Sequence, residues 1–217
     1  MHQLPGAGHV RALAQVEEST VLVDRDHLVS VELLEALELE RVVTEQLACL
    51  VFGDASTREG LIRRGDLSPV EAVQATIDRI ERLDDRLNAV IHHQFESALE
   101  QAASPELPAG PFRGVPMLIK DLWAEEAGQP HHAGVQALKD ADLRSTIDSN
   151  LVLRYREAGF INVGRTNPPE LGLVATTEPR SYGPSRNPWS TDHGTGGSSG
   201  GAAAAVASGM LPAANAS

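Results

Sequence analysis

The sequence predicts an α/β fold, on three observations. From about residue 54 onward, helix-type and strand-type segments alternate. Helix starts and stops are written in capping residues and glycines. Two short apolar runs, each bounded by turn residues, have the length and composition of buried strands.

In chain order, the first fifty or so residues read differently from the rest. Ser30 to Leu50 carries Leu34, Leu37 and Leu47 near helical spacing with glutamates between them, which predicts one amphipathic helix. Residues 1–53 are therefore expected to be a helical N-terminal extension, with the main domain over 54–217. Ser56-Thr57-Arg58-Glu59 has the form of a capping box, and the helix it opens should end at Gly65. Ser68-Pro69-Val70-Glu71 is a second box with proline at the first helical position, where its missing N–H costs nothing. Val70, Val73, Ile77 and Ile80 then form an apolar stripe. Ala89-Val90-Ile91 reads as a strand, Glu106 to Gly114 as a turn-rich connection, and Val115 to Ile119 as a buried strand. A helix is expected over Thr146 to Ala158, with Ile147, Leu151 and Tyr155 on one face and Gly159 as its stop, followed by a strand at Phe160 to Gly164.

Composition excludes several function classes. A net charge of -12 among 217 residues leaves no basic stripe for nucleic acid. No apolar run approaches the roughly 18 positions of a membrane span, and no signal peptide is visible, so the expected location is the cytoplasm. Cys49 is the single cysteine and reads as a small buried residue. His92-His93 and His131-His132 are adjacent pairs without the i, i+4 spacing that shares a metal on one helix face; no metal and no cofactor is expected. Trp123 and Trp189 are read as packing residues, and Lys139 as a solvated surface charge.

The chemistry concentrates in two places. Lys120 follows the apolar run Val115 to Ile119, where burial would disfavour its charged form and make it a base; an ion pair with Asp121 or another carboxylate is the alternative. The second place is Gly194 to Met210, where glycines and serines precede an alanine-rich run. A Walker loop needs lysine after the last glycine, and Ala202 stands there. A dinucleotide fingerprint from Gly194 needs glycine at position 199, which is Ser199. Gly196 to Gly200 matches a nucleophile elbow in letters, yet no acid and histidine follow it. The remaining reading is a glycine-rich turn opening a helix whose N–H groups face the site, with a serine able to relay a proton to a nearby lysine.

Gly114-Val115-Pro116 through Lys120-Asp121, then Gly164 to Gly172, Gly183 to Trp189 and Gly196 to Gly209, resemble in order and spacing the amidase signature family. The resemblance runs from about Asp54 to Ser217. It implies an α/β fold with a large mixed central sheet flanked by helices, here incomplete, and hydrolysis of carboxamides by a Ser-cisSer-Lys triad. By position, Lys120 matches the catalytic lysine and Ser198 the bridging serine, which follows a cis peptide bond. Ser199, Gly196, Gly197 and Gly200 match loop-supporting and oxyanion-side positions, and Asn167 and Glu170 match a structural segment.

In the family the acylating serine lies about 24 residues beyond the bridging one, in a D-x-G-G-S run that also supplies oxyanion donors. Ser217 is only 19 positions beyond Ser198 and aligns with the hydroxyl residue just before that aspartate. His193 and Gly194 replace more usual residues at the loop entry. The 217 residues alone are accordingly expected to be inactive and to expose sheet edges and apolar faces. The implied partner is a small-molecule amide substrate, with a homodimer left open. Two other readings stand beside the hydrolase: a non-catalytic amidase-like subunit that works through protein interactions, and the amidase-like subunit of an aminoacyl-tRNA amidotransferase.

Overall fold

The computed structural model describes residues 20–24, 27–30 and 53–217. In the first two segments, β1 (Thr20–Asp24) and β2 (His27–Ser30) pair antiparallel, strands that the sequence reading did not include. Beyond Ser30, the helix expected up to Leu50 lies outside the described residues, as does Cys49.

Helix α1 (Ala55–Arg64) is capped by Asp54, whose carboxylate accepts the Thr57 N–H at 2.8 Å. The cap thus lies two residues before the expected Ser56, because an aspartate in extended conformation already satisfies the early N–H groups. Gly65, in the left-handed region, ends the helix as expected. Helix α2 (Pro69–Leu87) forms the anticipated capping box: Ser68 Oγ accepts the Glu71 N–H, and the Glu71 carboxylate accepts the Ser68 N–H at 2.8 Å. Its buried face is Val73, Ile77, Ile80, Leu83 and Leu87, whereas Val70 is exposed at the rim.

The main sheet is mixed. Strand β5 (Ile161–Thr166) lies between β3 (Val90–His93), which runs antiparallel to it, and β4 (Pro116–Lys120), which runs parallel. The parallel pair is joined by a long crossover that includes α4 (Gln136–Asp140) and α5 (Asn150–Glu157). A helix α3 (Phe95–Ala103) follows β3. Helix α5 starts at its Ser149 cap, later than expected. Its buried residue is Val152, with Ile147 and Leu151 exposed, so the face predicted from residue 147 was displaced. A short hairpin, β6 (Arg186–Asn187) and β7 (Ser190–Gly194), leads to α6 (Gly200–Ala207).

Every residue of β4 and β5 is buried, as strands covered on both faces require. The alternation of β4 decides where its last side chain goes. Met117 and Ile119 pack with Val152 and Ala124 on one face, while Leu118 joins Val73, Ile80, Leu87, Ala204 and Ala205 on the other. Lys120 has the parity of Leu118 and therefore emerges on the side covered by α2 and α6. Among the described residues no helix is long and apolar enough to cross a membrane.

Candidate active site

Lys120 is wholly buried, and its amine is hydrogen-bonded to Ser198 Oγ at 2.8 Å and to Ser199 Oγ at 3.0 Å. The Ser217 hydroxyl lies 3.0 Å from the same nitrogen, and its carbonyl 3.4 Å. Burial holds the amine below the ordinary lysine range. The alternative ion pair with Asp121 is absent: Asp121 is instead engaged by Arg165, whose Nε is 3.1 Å from its carboxylate, both side chains being fully buried. Burial raises Asp121 to about 6, against the opposing pull of Arg165 and of the His132 and Ala133 N–H groups.

Ser198 and Ser199 are half-buried at the mouth of this cluster, on the turn that opens α6. The Gly197–Ser198 peptide is cis. Gly196 adopts a positive φ of 74°, which suits glycine. Gly197 lies against the backbone of Thr176, 2.8 Å from where a Cβ would be. At Gly200, a Cβ would overlap the hydroxyls of Thr195 and Thr177. Ser199 is the residue before α6, but its hydroxyl does not cap the helix; it accepts the Ser217 N–H at 3.0 Å.

One organising residue of the serine turn escaped the sequence reading. Thr177 is buried and pins both ends of the serine turn, its hydroxyl donating to the Gly196 carbonyl at 2.8 Å and accepting the Gly200 N–H at 3.1 Å. Nothing local in the sequence marks it, because its partners are about twenty positions away. Asn167 has the expected structural character: its amide donates to the Gly183 carbonyl and the Ser185 hydroxyl, while its main chain binds Ala89 and Gly201. Glu170 is exposed on a 3₁₀ turn, Glu170–Gly172.

Other assignments shift. Lys139 is half-buried, its amine 4.0 Å from the Tyr182 ring centroid and donating to the Ser181 carbonyl, so it is not a solvated charge. Tyr182 also joins residues from two separate histidine pairs, bonding His132 Nδ1 and lying 3.2 Å from His92 Nε2. Burial lowers both imidazoles, which keeps them neutral near pH 7. Trp123 and Trp189 are 67% and 45% exposed rather than packed.

The family model described as Amidase matches residues 71–217. The chain is 40% identical over 165 residues to the 6-aminohexanoate-cyclic-dimer hydrolase of Paenarthrobacter ureafaciens, covering 76% of this chain and 33% of that protein. It is also 40% identical to a glutamyl-tRNA(Gln) amidotransferase subunit of Salinispora tropica, covering 73% and 33% respectively. The solved structure of a bacterial aryl acylamidase of the amidase signature family superposes with a TM-score of 0.71 at 40% identity, covering 76% of this chain and 35% of that one. The chain thus spans about a third of the length of the relatives it matches.

Proposed function

Because the chain belongs to the amidase signature family, we propose that it supplies the proton relay of an amide hydrolase. The supporting observation is the Lys120 amine, held by burial below the ordinary lysine range and 2.8 Å from Ser198 Oγ. In this reading a serine supplied by sequence beyond Ser217 attacks the amide carbonyl. Its proton passes to Ser198 Oγ as the Ser198 proton passes to neutral Lys120. The C–N bond then breaks, and the relay returns the proton to the departing amine. Water, deprotonated along the same route, attacks the acyl ester, releasing a carboxylate and restoring the serine. Ser199, with Gly196, Gly197 and Gly200, holds the turn in the geometry this requires. No step calls for a cofactor.

The 217-residue chain should hydrolyse simple aliphatic and aryl amides no faster than buffer. A version carrying the sequence beyond Ser217 should be active, and Lys120→Ala or Ser198→Ala should each lower its kcat/KM by at least about a hundredfold. Full activity of the extended Lys120→Ala protein would refute the role.

The equal identity to an amidotransferase component supports a second reading, in which the same relay releases ammonia from glutamine for a partner protein. Glutaminase activity that appears only with co-purifying partner proteins would select it over a stand-alone hydrolase.

A further inference from the structure

We propose that Asn215 is a positioning residue that fixes the end of β4, and with it the Lys120 amine, against the serine turn. Its side chain does so by replacing a main-chain partner that the strand would otherwise have used.

The argument starts from ladder geometry. Leu118 bridges Ala214 in parallel fashion: the Leu118 N–H donates to the Ala213 carbonyl at 3.3 Å, and the Asn215 N–H donates to the Leu118 carbonyl at 2.8 Å. Continued by two residues, the same pattern would send the Lys120 N–H to the main-chain carbonyl of Asn215 and the Ser217 N–H to the carbonyl of Lys120. Neither bond forms. The Lys120 N–H finds the Asn215 side-chain Oδ1 at 3.4 Å, and the Ser217 N–H turns to Ser199 Oγ at 3.0 Å. The chain therefore leaves the sheet after one bridge and crosses to the serine turn, carrying Ser217 to within 3.0 Å of the Lys120 amine.

Asparagine suits this post because it carries a short acceptor and a donor together. Its Nδ2 donates to the Tyr155 hydroxyl on α5 at 3.1 Å, so one side chain, about nine-tenths buried, joins β4, α5 and the departing segment. A lysine amine rides on a flexible four-carbon stem, and its position depends on how firmly the stem is rooted. The charged group nearest in sequence, Asp121, is committed to Arg165, and burial is the influence that acts on Lys120.

The consequence for turnover rests on the proposed relay, whereas the positioning itself does not, and the test separates them. Lys120 and Lys139 are the only lysines in the 217 residues, so isotope labelling of lysine ε-carbons gives two NMR signals, assigned with Lys139→Arg. Asn215→Ala should move the Lys120 titration towards the ordinary lysine value and expose its backbone amide to hydrogen exchange. Tyr155→Phe, which removes one anchor, should act in the same direction more weakly and add little to Asn215→Ala. Asn215→Asp keeps the acceptor and lets the Tyr155 hydroxyl donate instead; it should preserve amide protection while its negative charge raises the Lys120 titration.

In the extended protein, Asn215→Ala should lower kcat about tenfold with KM little changed. An unchanged Lys120 titration and unchanged amide protection in folded Asn215→Ala would overturn the proposal; should that variant not fold, the same result in Tyr155→Phe would do so. If the NMR responses occur while the extended wild-type protein hydrolyses no amide, the relay reading fails and the positioning stands.

Discussion

Lys120 Nζ and Ser198 Oγ meet at 2.8 Å although 78 residues separate them in the chain. Two independent features bring them together. Strand parity sends the lysine to the face covered by α6, and the glycine turn before α6 sets the serine on that same side. Burial without a carboxylate partner then holds the amine below the ordinary lysine range, which favours the neutral form, the one able to take a proton, more than in free lysine.

That burial has a thermodynamic signature. A lysine whose pKa is lowered in the folded state binds fewer protons there than in the unfolded chain, so stability rises with pH between its folded pKa and the ordinary lysine value. Lys120→Met keeps the stem and removes the titration. Urea midpoints measured from pH 7 to 10 should rise for the wild-type chain and stay flatter for the variant, which should be the more stable of the two near pH 7. Parallel curves would show that the amine is not desolvated.

Asp121 and Arg165 form the buried pair behind the lysine, with Arg165 also donating to the Lys120 and Ala124 carbonyls. Asp121→Asn keeps the shape of the side chain and removes its titration. Because burial raises Asp121 to about 6, the folded state binds its proton more tightly than the unfolded state does. Its contribution to stability therefore falls as pH rises from about 4 to 6, and is lowest above that window. Thermal melts across pH 4–7 should show this slope in the wild-type chain and its loss in Asp121→Asn.

Local grammar was the legible part of the sequence. The Ser68–Glu71 box, the stops at Gly65 and Gly159 and the strands at residues 90, 116 and 161 each depend on a few neighbouring residues. A serine relaying to a lysine was suggested by the residues themselves, but the pairing of Lys120 with Ser198 by position came from the motif resemblance. Missed features depend on remote partners: Thr177 on the serine turn, Asn215 on β4, and Lys139 on Tyr182. Helix α3 was missed for a local reason, since Gln94 before it makes no side-chain cap. Val70 was misplaced because a helical stripe gives the apolar face but not where the covering layer ends.

The choice between two candidate caps of α1 can be measured. Asp54 accepts the Thr57 N–H, while Ser56 lies inside the helix. Asp54→Ala should therefore cost about 1 kcal/mol and Ser56→Ala only a few tenths. Denaturant midpoints of the two variants in one buffer give the comparison, and the reverse order would move the helix start back to the position the sequence suggested.

The serine turn should be the least forgiving part of the described chain. Thr177→Val keeps the volume near Gly200 but leaves its buried N–H without the hydroxyl that accepts it, at a cost of about 1–3 kcal/mol. Gly200→Ala is expected to be worse. A methyl there overlaps the Thr177 and Thr195 hydroxyls, and relief requires the first turn of α6 to move away from Thr177. Its neighbours Ala204 and Ala205 are packed in the main core and resist that shift. Lys120 reports the result: displacing Ser198 and Ser199 opens the amine to water, so its titration should return towards the ordinary lysine value in Gly200→Ala. A folded Gly200→Ala protein with the wild-type Lys120 titration would mean that the turn tolerates a side chain at this position and that Thr177 does not define its geometry.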